Sequence, residues 1–317
     1  MPEVSVLGSA NVDLVTCVNR FPLNGETVHG ISFSQHFGGK GANVAAMIAL
    51  LSDSPGYVSM CAMLGSDSLG ASTRANFEGL GVDMTNVLTC SDPAVSTGVA
   101  SILVDKNGEN QIIIVGGAND CLTSGQVEGM ASIKSARYLV AQLELPAEVT
   151  QVGMSLAKAA GCTTILNPSP GKKLSEIPAL LLQSCDILVP NQVELSLLTD
   201  DLPTSTIDGC VEAAKVLLES PDCSAKTVVV TMGKAGSLLV NSSESHHAPA
   251  PPLPGPVIDT VGAGDCFLAS FVYFMSKEVE IKAAMSMANY VAGMSVCKRG
   301  AQTSFPSREE LPVIYQK

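Results

Sequence analysis

Between a proline-rich stretch and a long apolar run, residues 259–267 read Asp-Thr-Val-Gly-Ala-Gly-Asp-Cys-Phe. Gly262 and Gly264 fall where the chain should turn into a helix beginning near Gly264, so several unpaired backbone N–H groups would point at one spot. A helix start of that kind binds an anion. Asp265 would stand at the same place, close enough to take a proton from a group that attacks the anion, which is the work of a general base. A plainer reading is equally open from these residues alone. Asp259 would be a turn residue and Asp265 a favourable charge in the first helical turn, contributing about 0.3–1 kcal/mol.

Other stretches carry polar groups on glycine-rich turns. Residues 36–45, His-Phe-Gly-Gly-Lys-Gly-Ala-Asn-Val-Ala, lead into an apolar helix; glycines there let the backbone approach a small polar ligand, with Lys40 and Asn43 as donors, or simply open an ordinary helix. Residues 8–13, Gly-Ser-Ala-Asn-Val-Asp, follow a first strand and could place Asn11 and Asp13 at its carboxyl end, where open α/β sheets bind ligands, though a polar turn explains them as well. Thr231, Gly233 and Gly236 close the strand Val-Val-Val-Thr and could cradle a phosphate or a nucleotide edge. Asn191 and Glu194 stand three apart at a helix start, which is either a capping pair or a relay through water to a hard cation.

Several chemistries lack their spacing. No G-x-G-x-x-G follows the first strand, no G-x-x-x-x-G-K-[ST] loop is present, and no G-x-S-x-G elbow occurs, which argues against a dinucleotide oxidoreductase, a Walker-type site and a serine hydrolase. His29, His36, His246 and His247 match no zinc pattern, and the His246-His247 pair reads as solvated loop. The net charge of −12, without any Lys/Arg cluster, disfavours nucleic acid and anionic membranes as partners, so an anionic ligand must be held locally. Ten cysteines are scattered over a chain too long to need disulfide staples, and reduced thiols in a cytosolic protein are expected. No signal peptide or membrane span is read from the N-terminus or from any apolar run.

The elements that must carry these groups follow from patterning. With 317 residues and 46% hydrophobic content the chain can bury a large core. Buried apolar runs at Val4 to Leu7, Tyr57 to Met63, Tyr138 to Leu143, Thr163 to Leu166, Ile187 to Val189 and Thr227 to Thr231 alternate with helical segments. Those lie at Ala42 to Leu51, Gly70 to Leu80, Ala147 to Ala160, Gln192 to Leu198, Asp208 to Glu219, Gly264 to Met275 and Ile281 to Cys297. That rhythm predicts a parallel, doubly wound sheet covered on both faces. Two pieces break it: Thr97 to Val115, a hairpin about Lys106-Asn107-Gly108, and the extended stretch Val15 to Phe37. Together they predict a small β-layer outside the main sheet, as a lid or an oligomer contact.

Taken in order, these motifs resemble the ribokinase family of ATP-dependent sugar and nucleoside kinases over Gly8 to Pro306, on the two ordered signatures Gly-Gly-Lys-Gly-Ala-Asn-Val-Ala and Asp-Thr-Val-Gly-Ala-Gly-Asp-Cys-Phe. The Gly-Gly-Lys-Gly-Ala-Asn form, with Asn-Val-Asp-Leu-Val and Gln-Leu-Glu-Leu-Pro, is closer to the ribose-phosphorylating members than to fructokinases or adenosine kinases. The resemblance implies one kinase domain over residues 1–317, a three-layer α/β fold with a β-sheet lid from about 14–37 and 96–117, and transfer of a phosphoryl group from ATP to the 5-hydroxyl of D-ribose. It implies that Asn11, Asp13, Gly39, Lys40, Asn43 and Glu144 hold the sugar. Asp265 would be the base, with an anion hole at Gly262, Ala263 and Gly264. Asn191, Glu194, Thr231, Gly233, Gly236, Gly264 and Asn289 would hold the nucleotide, with Mg²⁺ arriving on the phosphates. Asp259, Val261, Ser295, Lys298, Gly300 and Ser304 would hold an activating K⁺, and the lid would join a cytoplasmic homodimer. Val193, Val261 and Asn-Pro-Ser-Pro-Gly at 167–171 depart from the family's usual residues. Another acceptor sugar or nucleoside, or a binding protein without turnover, are the competing expectations.

Overall fold

The computed structural model describes residues 1–316. Along the first half the elements run β1 (Val4–Leu7), β2 (Asn11–Val18), β3 (Gly30–Gly38), α1 (Lys40–Leu51), β4 (Val58–Leu64), α2 (Ser68–Leu80), β5 (Val87–Thr89), β6 (Gly98–Val104) and β7 (Asn110–Val115). Then come α3 (Ser124–Glu128), α4 (Ala131–Ser135), β8 (Tyr138–Ala141), α5 (Ala147–Ala159), β9 (Thr163–Leu166), α6 (Ala179–Gln183), β10 (Ile187–Leu188), α7 (Gln192–Leu198) and α8 (Ile207–Glu219). The chain closes with β11 (Thr227–Thr231), β12 (Ser237–Asn241), β13 (Ser245–Ala248), α9 (Ala263–Ser276) and α10 (Ile281–Ser295).

Strands this short and this apolar cannot leave a face in water, and the period of two sends their side chains into two separate cores. Val4 and Val6 of β1, Val140 of β8 and Val229 of β11 join Met47 and Ile48 of α1 and Phe271 and Phe274 of α9 on one face. Leu7, Leu139, Val228 and Val230 join Met154 of α5, Leu195 of α7 and Leu217 of α8 on the other. The result is a three-layer α/β fold around nine strands in the order β13-β12-β11-β10-β9-β8-β1-β4-β5. Every neighbouring pair from β5 to β11 is parallel, and β12 and β13 add an antiparallel edge.

The expected second layer is present as a four-stranded sheet, β3-β2-β6-β7. Strand β2 pairs parallel with β6 and antiparallel with β3, and β6 and β7 form the hairpin about Lys106-Asn107-Gly108. Its outer face is apolar and open: Phe33 is 64% and Ile113 68% exposed.

Some expectations are corrected. Helix α9 starts at Ala263, so only Gly262 makes the turn, in the left-handed region at φ 76°, and Gly264 lies inside the first turn. Asn11 and Asp13 stand on β2 of the second sheet, because the chain leaves β1 through Gly8-Ser9-Ala10 and pairs at once with β3 and β6. His246 and His247 belong to β13, where pairing with β12 outweighs their loop-like composition and the His247 ring Nε2 lies 2.7 Å from the Ala235 carbonyl oxygen. Strands β5, β12 and β13 and the five-residue helices α3, α4 and α6 were not expected. Each is too short to show a period or is too polar to stand out.

Helix α1 can reach the end of β1 only because two glycines face each other: a Cβ on Gly41 would lie 2.6 Å from the backbone of Gly8. Backbone cannot yield there, so Gly41→Ala is expected to lower stability by about 1–3 kcal/mol. Gly79, on α2 with nothing within 4 Å of its missing Cβ, should behave oppositely, Gly79→Ala gaining about 0.4–1 kcal/mol. Urea midpoints of the two variants, read against the parent protein, check both signs.

Candidate active site

The first turn of α9 has backbone donors to spare. Ala263 N–H donates to Thr260 O at 3.2 Å, whereas among the described residues the amides of Gly262, Gly264 and Asp265 meet no acceptor. They stand at the positive end of a 14-residue helix. A Cβ on Gly262 would come within 2.9 Å of the Ala301 backbone, so the turn is pressed against the 298–304 segment. Ala263, Gly264 and Asp265 line a cleft of about 780 Å³. Every residue that the family resemblance implied for a nucleotide lines it too: Asn191, Glu194, Thr231, Gly233, Gly236, Gly264 and Asn289. Apolar groups from Leu253, Val257, Ala292 and Val296 form another part of the same wall.

Local chemistry fixes these groups. Asn191 Oδ1 accepts from Glu194 N at 2.8 Å and Glu194 Oε2 accepts from Asn191 N at 2.9 Å, a capping box that starts α7. The capping reading of that pair is therefore present, and it also brings the buried Glu194 to the cleft. Thr231 ends β11, and Met232 N donates to Gly236 O at 2.8 Å to close the turn beyond it. Asn289 of α10 donates to Ala248 O at 2.9 Å.

A second set of groups gathers on the other side of Asp265. Asn43 Nδ2 donates to Asp265 Oδ2 at 2.7 Å. Glu144, just after β8, accepts from Lys40 N at 2.9 Å and from the Ser9 hydroxyl. Gly39 caps α1 and places Lys40 at its first position. Asn11 Oδ1 accepts from Asn119 Nδ2 at 2.8 Å, and Asn119 Oδ1 accepts from Ala10 N at 3.0 Å. Sequence reading missed Ser9, Asn119 and Gln302, which bind these groups from far away in the chain with no spacing to mark them; Gln302 donates to Asn43 Oδ1 at 3.1 Å.

Asp13, Glu144 and Asp265 thus share one pocket with Lys40. Burial holds Asp265 above the ordinary carboxylate range despite Lys40 and the Asn43 hydrogen bond, and Glu144 and Glu194 add to the rise. Burial, then Glu144 and Asp265, push Asp13 up to about 6. For Lys40 burial alone would favour the neutral form, but Asp265, Glu144 and Glu194 together hold its ammonium above the usual value. A neutral ligand rich in hydroxyls would suit these charges, with the cleft and its free amides alongside for an anion.

The 259–261 and 295–304 segments form a third group. Asp259 Oδ2 accepts from Gly300 N at 2.9 Å and Oδ1 from Val261 N at 3.0 Å. The hydroxyls of Ser295 and Ser304 donate to Ala292 O and Ala301 O, and the Lys298 ammonium is paired with Glu310 at 2.6 Å. Among the described residues no group of three or more His, Cys, Asp or Glu side chains gathers as a metal site. Oxygen donors carrying one negative charge suit a hard monovalent cation.

The chain is similar to known carbohydrate kinases along nearly its whole length. A family model described as pfkB family carbohydrate kinase matches residues 1–308. The deoxyribokinase of Salmonella typhi is 35% identical over 309 residues, 97% of each chain. The ribokinase of Haemophilus influenzae is 34% identical and covers 97% of this chain and 96% of its own. Among solved structures, Arabidopsis thaliana ribokinase complexed with ribose and ATP superposes with a TM-score of 0.89 at 31% identity, covering 100% of this chain and 99% of that one.

The raised Asp13 carboxyl makes a sign-definite prediction. The folded protein holds that proton more tightly than the unfolded chain, so the cost to stability is absent below about 3.8 and complete above about 6. Asp13→Asn should therefore be more stable than the parent by about 1–3 kcal/mol at pH 7.5. The difference should vanish near pH 4. Denaturant unfolding at the two pH values checks it.

Proposed function

Because the chain belongs to the pfkB family of carbohydrate kinases, we propose that it moves the terminal phosphoryl group of ATP to the 5-hydroxyl of D-ribose. One observation carries the reading. Asp265 is buried at the free amides of α9, lines the cleft, and is hydrogen-bonded on its other side to the Asn43 of the hydroxyl-binding pocket.

In this reading Asn11, Asp13, Gly39, Lys40, Asn43 and Glu144 hold the sugar, and Asp265 accepts the proton of the 5-hydroxyl as its oxygen attacks phosphorus. The amides of Gly262, Ala263 and Gly264 receive the charge of the transferring group, Ala263 turning its N–H from Thr260 O. Positioning and preorganised donors supply most of the rate in such a transfer. Asn191, Glu194, Thr231, Gly233, Gly236, Gly264 and Asn289 hold the nucleotide. Mg²⁺ arriving with it, near Glu194, would screen the phosphate charges. Asp259, Val261, Ser295, Lys298, Gly300 and Ser304 would hold K⁺. Its charge would stiffen the loop that the Gly262 turn leans on; with the Lys298 ammonium occupied by Glu310, that residue would serve through its carbonyl.

A second acceptor, 2-deoxyribose, is favoured by one finding: the relative named deoxyribokinase is as similar as those named ribokinase. ATP consumption with a sugar panel separates the two. Ribose should exceed 2-deoxyribose in kcat/KM by about tenfold or more, since a site built for a hydroxyl rejects the analogue without it. Turnover should rise on exchanging Na⁺ for K⁺, and Asp265→Asn should lose about 10²–10⁴-fold in kcat. Preference for 2-deoxyribose would reassign the acceptor and leave Asp265 in place; full activity in Asp265→Asn would overturn the base.

The open lid face, with edge strand β7 carrying Ile112, Ile113 and Ile114, supports a homodimer formed through the lid. Light scattering should give a dimer at micromolar concentration and a monomer for Ile113→Lys; a monomeric parent with full activity would refute it.

A further inference from the structure

The hydrogen bond that Asn43 gives Asp265 is the last of a series. Asn76 Nδ2, on α2, donates to Gln302 Oε1 at 3.0 Å; Gln302 Nε2 donates to Asn43 Oδ1 at 3.1 Å; Asn43 Nδ2 donates to Asp265 Oδ2 at 2.7 Å. We propose that Asn76 and Gln302 are positioning residues for Asp265, forming with Asn43 a one-way chain of amide hydrogen bonds that fixes which edge of the Asn43 side chain meets the carboxylate. The proposal rests on Asp265 as the base.

The direction of the chain follows from what each group can do. An ionised carboxylate only accepts, so Asn43 must turn its NH₂ toward Asp265 and its oxygen away. That oxygen is buried with Asn43 and needs a donor, which the Gln302 NH₂ supplies. The Gln302 oxygen then faces outward and needs a donor in turn, which Asn76 supplies. Asn76 and Gln302 are only partly buried and, among the described residues, their side chains hydrogen-bond to no group assigned to sugar or nucleotide except Asn43. Reversing any member reverses those after it. With an acceptor at position 76, Gln302 would turn its NH₂ outward and its oxygen toward Asn43, and Asn43 would present oxygen to the Asp265 carboxylate. The groups around Asp265 make that reversal costly. Glu144 after β8, Glu194 of α7 and Asp13 of β2 already oppose its charge, and Lys40 and Asn43 of α1 are what favour it.

A relay of orientation has a signature that simple support lacks. Asn76→Asp and Gln302→Glu keep size and polarity but reverse the relay, whereas Asn76→Leu and Gln302→Leu only break it. The acceptor variants should lose about tenfold in kcat and the leucine variants about threefold or less. Loss of the donor to the ionised form should move the acid limb of the pH–rate profile upward in the acceptor variants only. The same rise should appear in the ¹³C NMR titration of the Asp265 carboxyl, assigned with Asp265→Asn, and that readout needs no turnover. Ser72→Asp, one turn earlier on α2, controls for added charge, and thermal unfolding confirms that each variant is folded; if Gln302→Glu unfolds, Asn76→Asp decides alone. Equal effects of Asp and Leu at position 76, or an equal NMR shift in Ser72→Asp, would overturn the relay. If the parent phosphorylates no sugar, or Asp265→Asn stays active, the base assignment falls instead and the carboxyl titration alone decides whether the relay exists.

Discussion

A carboxylate buried at the start of a helix governs how this molecule is put together. Taking a charge out of water costs several kcal/mol unless partners replace the lost solvation. Asp265 is among the most enclosed acids of the chain, and its compensation comes from different elements at once: Lys40 and the Asn43 amide from α1, and the helix dipole with free amides from α9 itself. Those elements must therefore meet within hydrogen-bond distance. The contact of Gly8 with Gly41 brings α1 to the end of β1, and the packing of α1 and α9 on one core does the rest.

Much of this was legible because it is local. The apolar runs gave β1, β9 and β11 with their observed boundaries, and the 3.6-residue pattern gave α7 to the residue. The two glycine-rich signatures marked where the backbone turns tightly beside the cleft, at Gly39 and Gly262, because few side chains tolerate such turns. Most of the residues that line the cleft could be gathered from sequence since Asn191, Glu194, Thr231, Gly233 and Gly264 sit at or just beyond the carboxyl end of a strand or in the first turn of a helix, where a doubly wound sheet collects its loops; Asn289, inside α10, has no such mark. What stayed hidden is long-range and polar. Asn119 serves Asn11 from 108 positions away, and Gln302 serves Asn43 from 259 away. A single amide has no period and no motif; only the fold reveals which polar atom it satisfies.

His246 and His247 show the same limit from the other side. Composition marks them as surface loop, yet β12 offers a row of unpaired backbone groups that a following segment of any composition can satisfy. Pairing decides, and the two histidines become an edge strand whose end, Ala248, anchors Asn289 at the cleft.

The two halves of the site are mounted differently, and that difference bears on how a sugar would be held. The residues proposed for the nucleotide stand on or beside the main sheet and its helices. The side proposed for the sugar is shared, with Lys40, Asn43 and Glu144 on the main body but Asn11 and Asp13 on β2 of the outer sheet. Like charges on Asp13, Glu144 and Asp265 face one another across that seam, and burial enforces their repulsion. Hydroxyl groups placed between the carboxylates would donate to each of them and turn repulsion into a set of charge-assisted hydrogen bonds. A polyol would then be more than a passive occupant: it would relieve the repulsion among these carboxylates.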